Sequence, residues 1–86
     1  MLRILVVDDN VDAADTLALM LTLHGHEAHA CHSGSAALAR LDSGPAPDLM
    51  FIDLGMPGMD GFALCAAVRA RCPAPLPWLV ALSGWG

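Results

Sequence analysis

The sequence predicts an α/β fold built on one parallel sheet, and three observations carry that prediction. Short apolar runs alternate along the chain with amphipathic stretches of helical period. The connections between them are short, so successive strands must be linked by crossover helices that cover both faces of the sheet. Three of the apolar runs stop at polar residues suited to chemistry, namely Asp8-Asp9, Asp53 and Ser83.

The elements follow in order. Leu2 to Val7 is an apolar, β-branched run halted by two aspartates, and reads as a buried parallel strand. Asn10 is a good N-cap for the helix that follows, in which Val11, Ala14, Leu17, Ala18 and Leu21 share one face. Leu19 falls on the polar side, and Gly25, between His24 and His26, is suited to end the helix. Glu27 to His32 is a weaker second strand. Ser33 caps a short helix carrying Ala36, Ala37, Leu38 and Leu41, broken by Gly44-Pro45-Ala46-Pro47. Asp48 to Asp53 is a third strand with Leu49 to Ile52 as its buried run. Leu54 to Gly61, with three glycines and a proline, is a loop. Asp60 or Gly61 opens a third helix through Phe62, Leu64, Cys65, Val68 and Arg69. A proline-rich connector from Cys72 to Pro77 leads to a fourth strand, Trp78 to Leu82.

Composition bounds the function. Eighty-six residues, 56% hydrophobic and 15% charged, make one small globular domain and exclude disorder. No apolar run reaches the ~18 residues of a membrane span, and Met1 to Val7 lacks the pattern of a secretion signal, so a cytoplasmic location is expected. The net charge of −5, with four arginines and no lysine, disfavours direct nucleic-acid binding. Cys31, Cys65 and Cys72 form no CxxC pair and read as free thiols. Cys65 and Cys72 would lie about 10 Å apart along a helix, too far for a disulfide. His24, His26, His29 and His32 do not converge by spacing and read as surface histidines rather than a zinc site.

In a parallel sheet of this kind, ligands bind beyond the carboxyl ends of the strands. Asp8, Asp9 and Asp53 would meet there, and like charges so close call for a cation. Hard oxygen donors select Mg²⁺, Mn²⁺ or Ca²⁺ over Zn²⁺, with Mg²⁺ the usual partner where a phosphate joins a few carboxylates. Each aspartate alone could be a cap or a turn residue; capping explains all three together poorly. The turn Asp8-Asp9-Asn10-Val11-Asp12 lacks the glycines of a phosphate cradle, which disfavours a nucleotide-binding fold.

Val6-Val7-Asp8-Asp9-Asn10, the run Asp48 to Gly61 (DLMFIDLGMPGMDG) and Ala81-Leu82-Ser83-Gly84-Trp85-Gly86 together resemble the receiver domains of bacterial two-component response regulators. The last of these is similar to receivers attached to hybrid sensor kinases. The resemblance covers the whole chain. It implies a flavodoxin-like, doubly wound parallel sheet of strand order 2-1-3-4. It implies that Asp53 accepts a phosphoryl group from a phosphohistidine on a sensor histidine kinase or a phosphotransfer protein. It further implies that Mg²⁺ is held by Asp9 and Asp53 directly, by Asp8 through a water and by the backbone carbonyl of Gly55. Ser83 would sense the phosphoryl group. Such a domain modifies itself and is not classed as an enzyme.

Against that family pattern, residues 1–86 supply four strands and three helices of a unit that normally has five of each, without the family's fifth strand, its lysine or its switch aromatic. Trp85 is not that aromatic. Those missing parts allow a second reading, a phosphorylation-independent interaction module; a third, metal-assisted phosphate hydrolysis at the acidic site, is disfavoured by the lack of substrate-pocket residues beyond the strand ends. An apolar fourth strand at the sheet edge, lacking a charged residue, is also expected to pair with a second copy or exchange elements.

Overall fold

The computed structural model describes residues 1–72 and 74–82. The elements are β1 (Arg3–Val7), α1 (Val11–Leu23), β2 (Glu27–Cys31), α2 (Gly34–Ser43), β3 (Leu49–Asp53), α3 (Gly61–Arg71) and β4 (Trp78–Leu82). Four parallel strands form one sheet in the order β2-β1-β3-β4. The fold class, element order and strand order agree with expectation. β1, β2 and β3 are each one residue shorter than the apolar runs suggest, because Leu2, His32 and Asp48 lie beyond the paired ladder.

Helix starts are set by side chains. Asn10, Ser33 and Asp60 each accept a hydrogen bond from the backbone N–H three residues on, at Ala13, Ala36 and Ala63. Each cap satisfies one donor that the first turn leaves without a partner. Gly25, at φ +90°, supplies the left-handed residue that closes α1.

The alternation of β1 splits the core in two. Ile4 and Val6 face α1, packing on Ala14 and Ala18. Leu5 and Val7 face α2 and α3, packing with Met50, Ile52, Leu64 and Val68. Burying a side chain as large as Ile52 or Leu64 contributes roughly 1.5–3 kcal/mol.

Some of the expected apolar positions are not buried. Ala36 is exposed because the inner face of α2 runs through Gly34, Ala37, Leu38 and Leu41. Val11 is 48% exposed, one turn before Ala14, the first α1 residue to reach the core. Leu49 and Phe51 are only half-buried, because α1 lies over β2 and β1 and leaves the β3–β4 half of its face uncovered. Trp78 and Val80 lie on that half, opposite Leu49 and Phe51 in the ladder, and Leu19 is exposed as expected.

Candidate functional site

Parallel pairing brings the carboxyl ends of β1 and β3 side by side, with Val7 opposite Ile52. Asp8 and Asp53 therefore leave adjacent strands at the same level. Asp8, Asp9 and Asp53 each offer a carboxylate oxygen, and these oxygens all lie within 4.8 Å of one another. Asp9 is exposed; Asp8 and Asp53 are half-buried.

Two local turns hold the carboxylates. The Asn10 N–H donates to Asp8 Oδ1 at 3.0 Å, and the Gly55 N–H donates to Asp53 Oδ1 at 2.9 Å. Both are Asx turns, in which an aspartate accepts from the backbone two residues on. Gly55 thus lies against Asp53, while Asn10 orients Asp8 and also caps α1. The spacing Asp-x-Asn and Asp-x-Gly is visible in the sequence, but its role in fixing side-chain rotation depends on the backbone turn that follows each strand.

The loop after β3 is anchored rather than free. Met56 is 4% exposed in the core on the α2–α3 side. Met59 packs so closely on Gly34 that a Cβ there would lie 2.8 Å from the Met59 sulfur. Gly61 sits under the strand end itself: a Cβ would meet Asp53 O at 2.8 Å and Leu54 Cα at 2.7 Å.

Electrostatics are unfavourable for the bare acids. Burial raises the Asp8 pKa above the usual carboxylate range; the Asn10 N–H opposes this, and the neighbouring Asp53 and Asp9 charges add to it. Two full charges at the cluster's limiting separation of 4.8 Å repel by about 1 to 4 kcal/mol between water-like and surface-like dielectrics. Clustered hard oxygen donors under mutual repulsion fit a divalent cation of the Mg²⁺ class.

Ser83 lies outside the described residues, as do Gly84, Trp85 and Gly86. Its predecessor Leu82 is the ladder partner of Asp53, and the Leu54 N–H donates to Leu82 O at 3.2 Å. The histidines do not converge on a metal site among the described residues. His24 bonds Met20 O, His26 accepts from the Leu2 N–H, and His32 Nε2 meets Asp15 Oδ1 at 2.8 Å. All three cysteines are free. No helix among the described residues is long and apolar enough to cross a membrane.

The family profile of the response regulator receiver domain matches residues 4–84. This chain belongs to that family. It is similar to the sensory transduction protein RegX3 of Mycobacterium tuberculosis, at 41% identity over 76 residues, covering 88% of this chain and 33% of that protein. It is also similar to the DNA-binding response regulator MtrA of Mycolicibacterium smegmatis, at 38% identity over 79 residues, covering 92% of this chain and 34% of MtrA. The chain therefore spans about a third of the length of these curated relatives. Among solved structures, the response regulator TrrA of Thermotoga maritima, in complex with Mg(2+)-BeF, superposes with a TM-score of 0.84 and 30% identity. All of this chain and 72% of TrrA are covered. A response regulator receiver protein from Pseudomonas putida gives a TM-score of 0.86 at 31% identity, over 96% of this chain and 68% of the other. This receiver chain is thus a two-component signalling module by family.

Proposed function

We propose that Asp53 is the phosphoacceptor of a two-component phosphorelay, served by a sensor histidine kinase or a phosphotransfer protein. The observation that carries this reading is the approach of Asp8, Asp9 and Asp53 to within 4.8 Å at the carboxyl ends of β1 and β3. An oxygen of Asp53 attacks the phosphorus of the donor phosphohistidine. The new O–P bond forms as the P–N bond breaks, and its electron pair returns to the donor imidazole. The Gly55 N–H holds Asp53 Oδ1, fixing the rotation of the carboxylate and leaving the second oxygen to react. Asp9 and Asp53, Asp8 through a water and the Gly55 carbonyl would hold a Mg²⁺, which would supply charge screening between the two anions. Ser83, next after the ladder partner of Asp53, supplies a hydroxyl to hydrogen-bond the phosphoryl group.

On this reading the chain, residues 1–86 of a receiver unit, modifies itself, works in the cytoplasm and does not turn over a substrate. The β4 edge, which has no strand beyond it among the described residues, supports pairing of two copies through it. Acetyl phosphate with Mg²⁺ tests the central step. One phosphoryl group should be added per chain, with acetate released, and Mg²⁺ chelation should stop the addition. Equal labelling with and without Mg²⁺ contradicts the proposal.

A further inference from the structure

We infer that this chain carries a second binding site, for a small organic monoanion, at the end of the sheet opposite the acidic cluster. Helices in this fold run antiparallel to the strands, so helix ends and strand starts share one pole. All four arginines lie there: Arg3 opens β1, Arg40 is in the last turn of α2, and Arg69 and Arg71 close α3. The other pole carries Asp8, Asp9 and Asp53. Glu27 at the start of β2, Asp48 before β3 and Asp42 in the last turn of α2 share the arginines' pole, so an anion is repelled at the acidic cluster and meets guanidinium donors only at this end.

Between β1, β2 and the end of α2 lies a cleft of about 220 Å³. Arg3, Arg40, His29 and Ser43 line it, with Glu27 as its acid and Leu5, 5% exposed, among its apolar residues. Pro45 and Pro47 wall it, and proline fixes the backbone it sits in. Arg3 Nε meets Glu27 Oε2 at 3.0 Å, which uses one of the five N–H donors of a guanidinium. Arg40 has no carboxylate within ion-pair distance among the described residues. Asp42, two residues on, pairs instead with Arg71 at 3.1 Å.

Charge and size select the ligand. Arg3 and Arg40 keep N–H donors for one carboxylate, while Glu27, Asp48, whose Oδ2 accepts from the Arg3 N–H at 2.8 Å, and the carboxyl end of α2 leave no positive surplus to hold a polyphosphate. The cleft is smaller than a drug-sized pocket of ~300 Å³ or more. It therefore fits a carboxylate on a compact apolar body, with the carboxylate on Arg40 and Arg3 and the body against Leu5 and the prolines.

Benzoate titrated into ¹⁵N-labelled protein, with sodium chloride at matched ionic strength as the control, tests this. Saturable shifts are expected at Leu5, His29 and Arg40. Arg40→Gln, at an exposed position, should weaken binding about tenfold, as loss of one charge-assisted contact implies. Glu27→Gln should strengthen it, and both variants should leave phosphoryl labelling at Asp53 unchanged. No saturation, equal affinity in Arg40→Gln, or the same shifts from chloride overturns the inference.

Discussion

Replacing Gly61 with alanine should damage the site without touching any acid. Gly61 is the first residue of α3, buried directly beneath the end of β3. The added Cβ would lie 2.7 Å from Leu54 Cα, 2.8 Å from Leu54 Cδ2 and 2.8 Å from Asp53 O. Carbon atoms pack at ~3.5–4.0 Å, so the methyl is nearly an ångström too close to Leu54 Cα and also too close to the Asp53 oxygen. The Leu54 side chain can rotate away; its Cα and the Asp53 carbonyl cannot. Overpacking of this kind costs about 1–3 kcal/mol, offset by about 0.5–1 kcal/mol for replacing a helical glycine. The net loss of up to about 2.5 kcal/mol corresponds to a fall in Tm of up to roughly 20 °C for a chain this small. The strand end must also move, and a displacement near 1 Å at a reacting group can cost about a hundredfold in rate. Thermal unfolding and acetyl phosphate labelling of the same preparation read both effects. Gly58→Ala is the control: at φ +80° it has open space around it, so any loss there reflects backbone strain alone. A Gly61→Ala variant as stable and as readily labelled as the parent would refute the close approach.

Three further outcomes are expected. Asp8→Asn should stabilise the metal-free protein at neutral pH, because the Asp8 pKa is raised, chiefly by burial. A raised carboxyl pKa means a contribution present below the unfolded-state pKa and lost as pH rises through the folded value. The parent without Mg²⁺ should therefore lose stability as pH rises through the Asp8 titration while the variant does not, and Mg²⁺ binding should weaken in the variant; unfolding curves across pH with and without Mg²⁺ check both. Cys31, 6% exposed and with its thiol pushed up by burial, should react with a thiol reagent only as fast as the chain opens, well behind Cys65 and Cys72. The 86-residue chain should sediment as a dimer or larger species at micromolar concentration through its β4 edge, and a cooperative monomer would show that expectation wrong.

Much of this arrangement was legible in the sequence, and the reasons are physical. Strand ends could be read because Asp8-Asp9 and Asp53 stop apolar runs abruptly, and parallel connectivity then brings those ends together. Helix starts could be read because Asn10, Ser33 and Asp60 are short acceptors at the right offset. What could not be read depends on contacts between distant segments. The exposure of Leu49 and Phe51 follows from how far α1 reaches across the sheet, which no local pattern encodes. The need for glycine at positions 34 and 61 comes from Met59 and from the β3 end. The His32–Asp15 contact joins residues 17 apart along the chain. The gathering of four arginines at one pole appears only once the helices are laid antiparallel to the strands.

Locating the phosphoryl group tests most directly whether Asp53 is the phosphoacceptor. The protein is incubated with acetyl phosphate and Mg²⁺, the acyl phosphate is trapped by reduction, and the modified aspartate is found by peptide sequencing in a mass spectrometer. Modification is expected at Asp53 alone, and none in Asp53→Asn. Modification at Asp8 or Asp9 in the parent, or undiminished labelling of Asp53→Asn, would contradict that expectation.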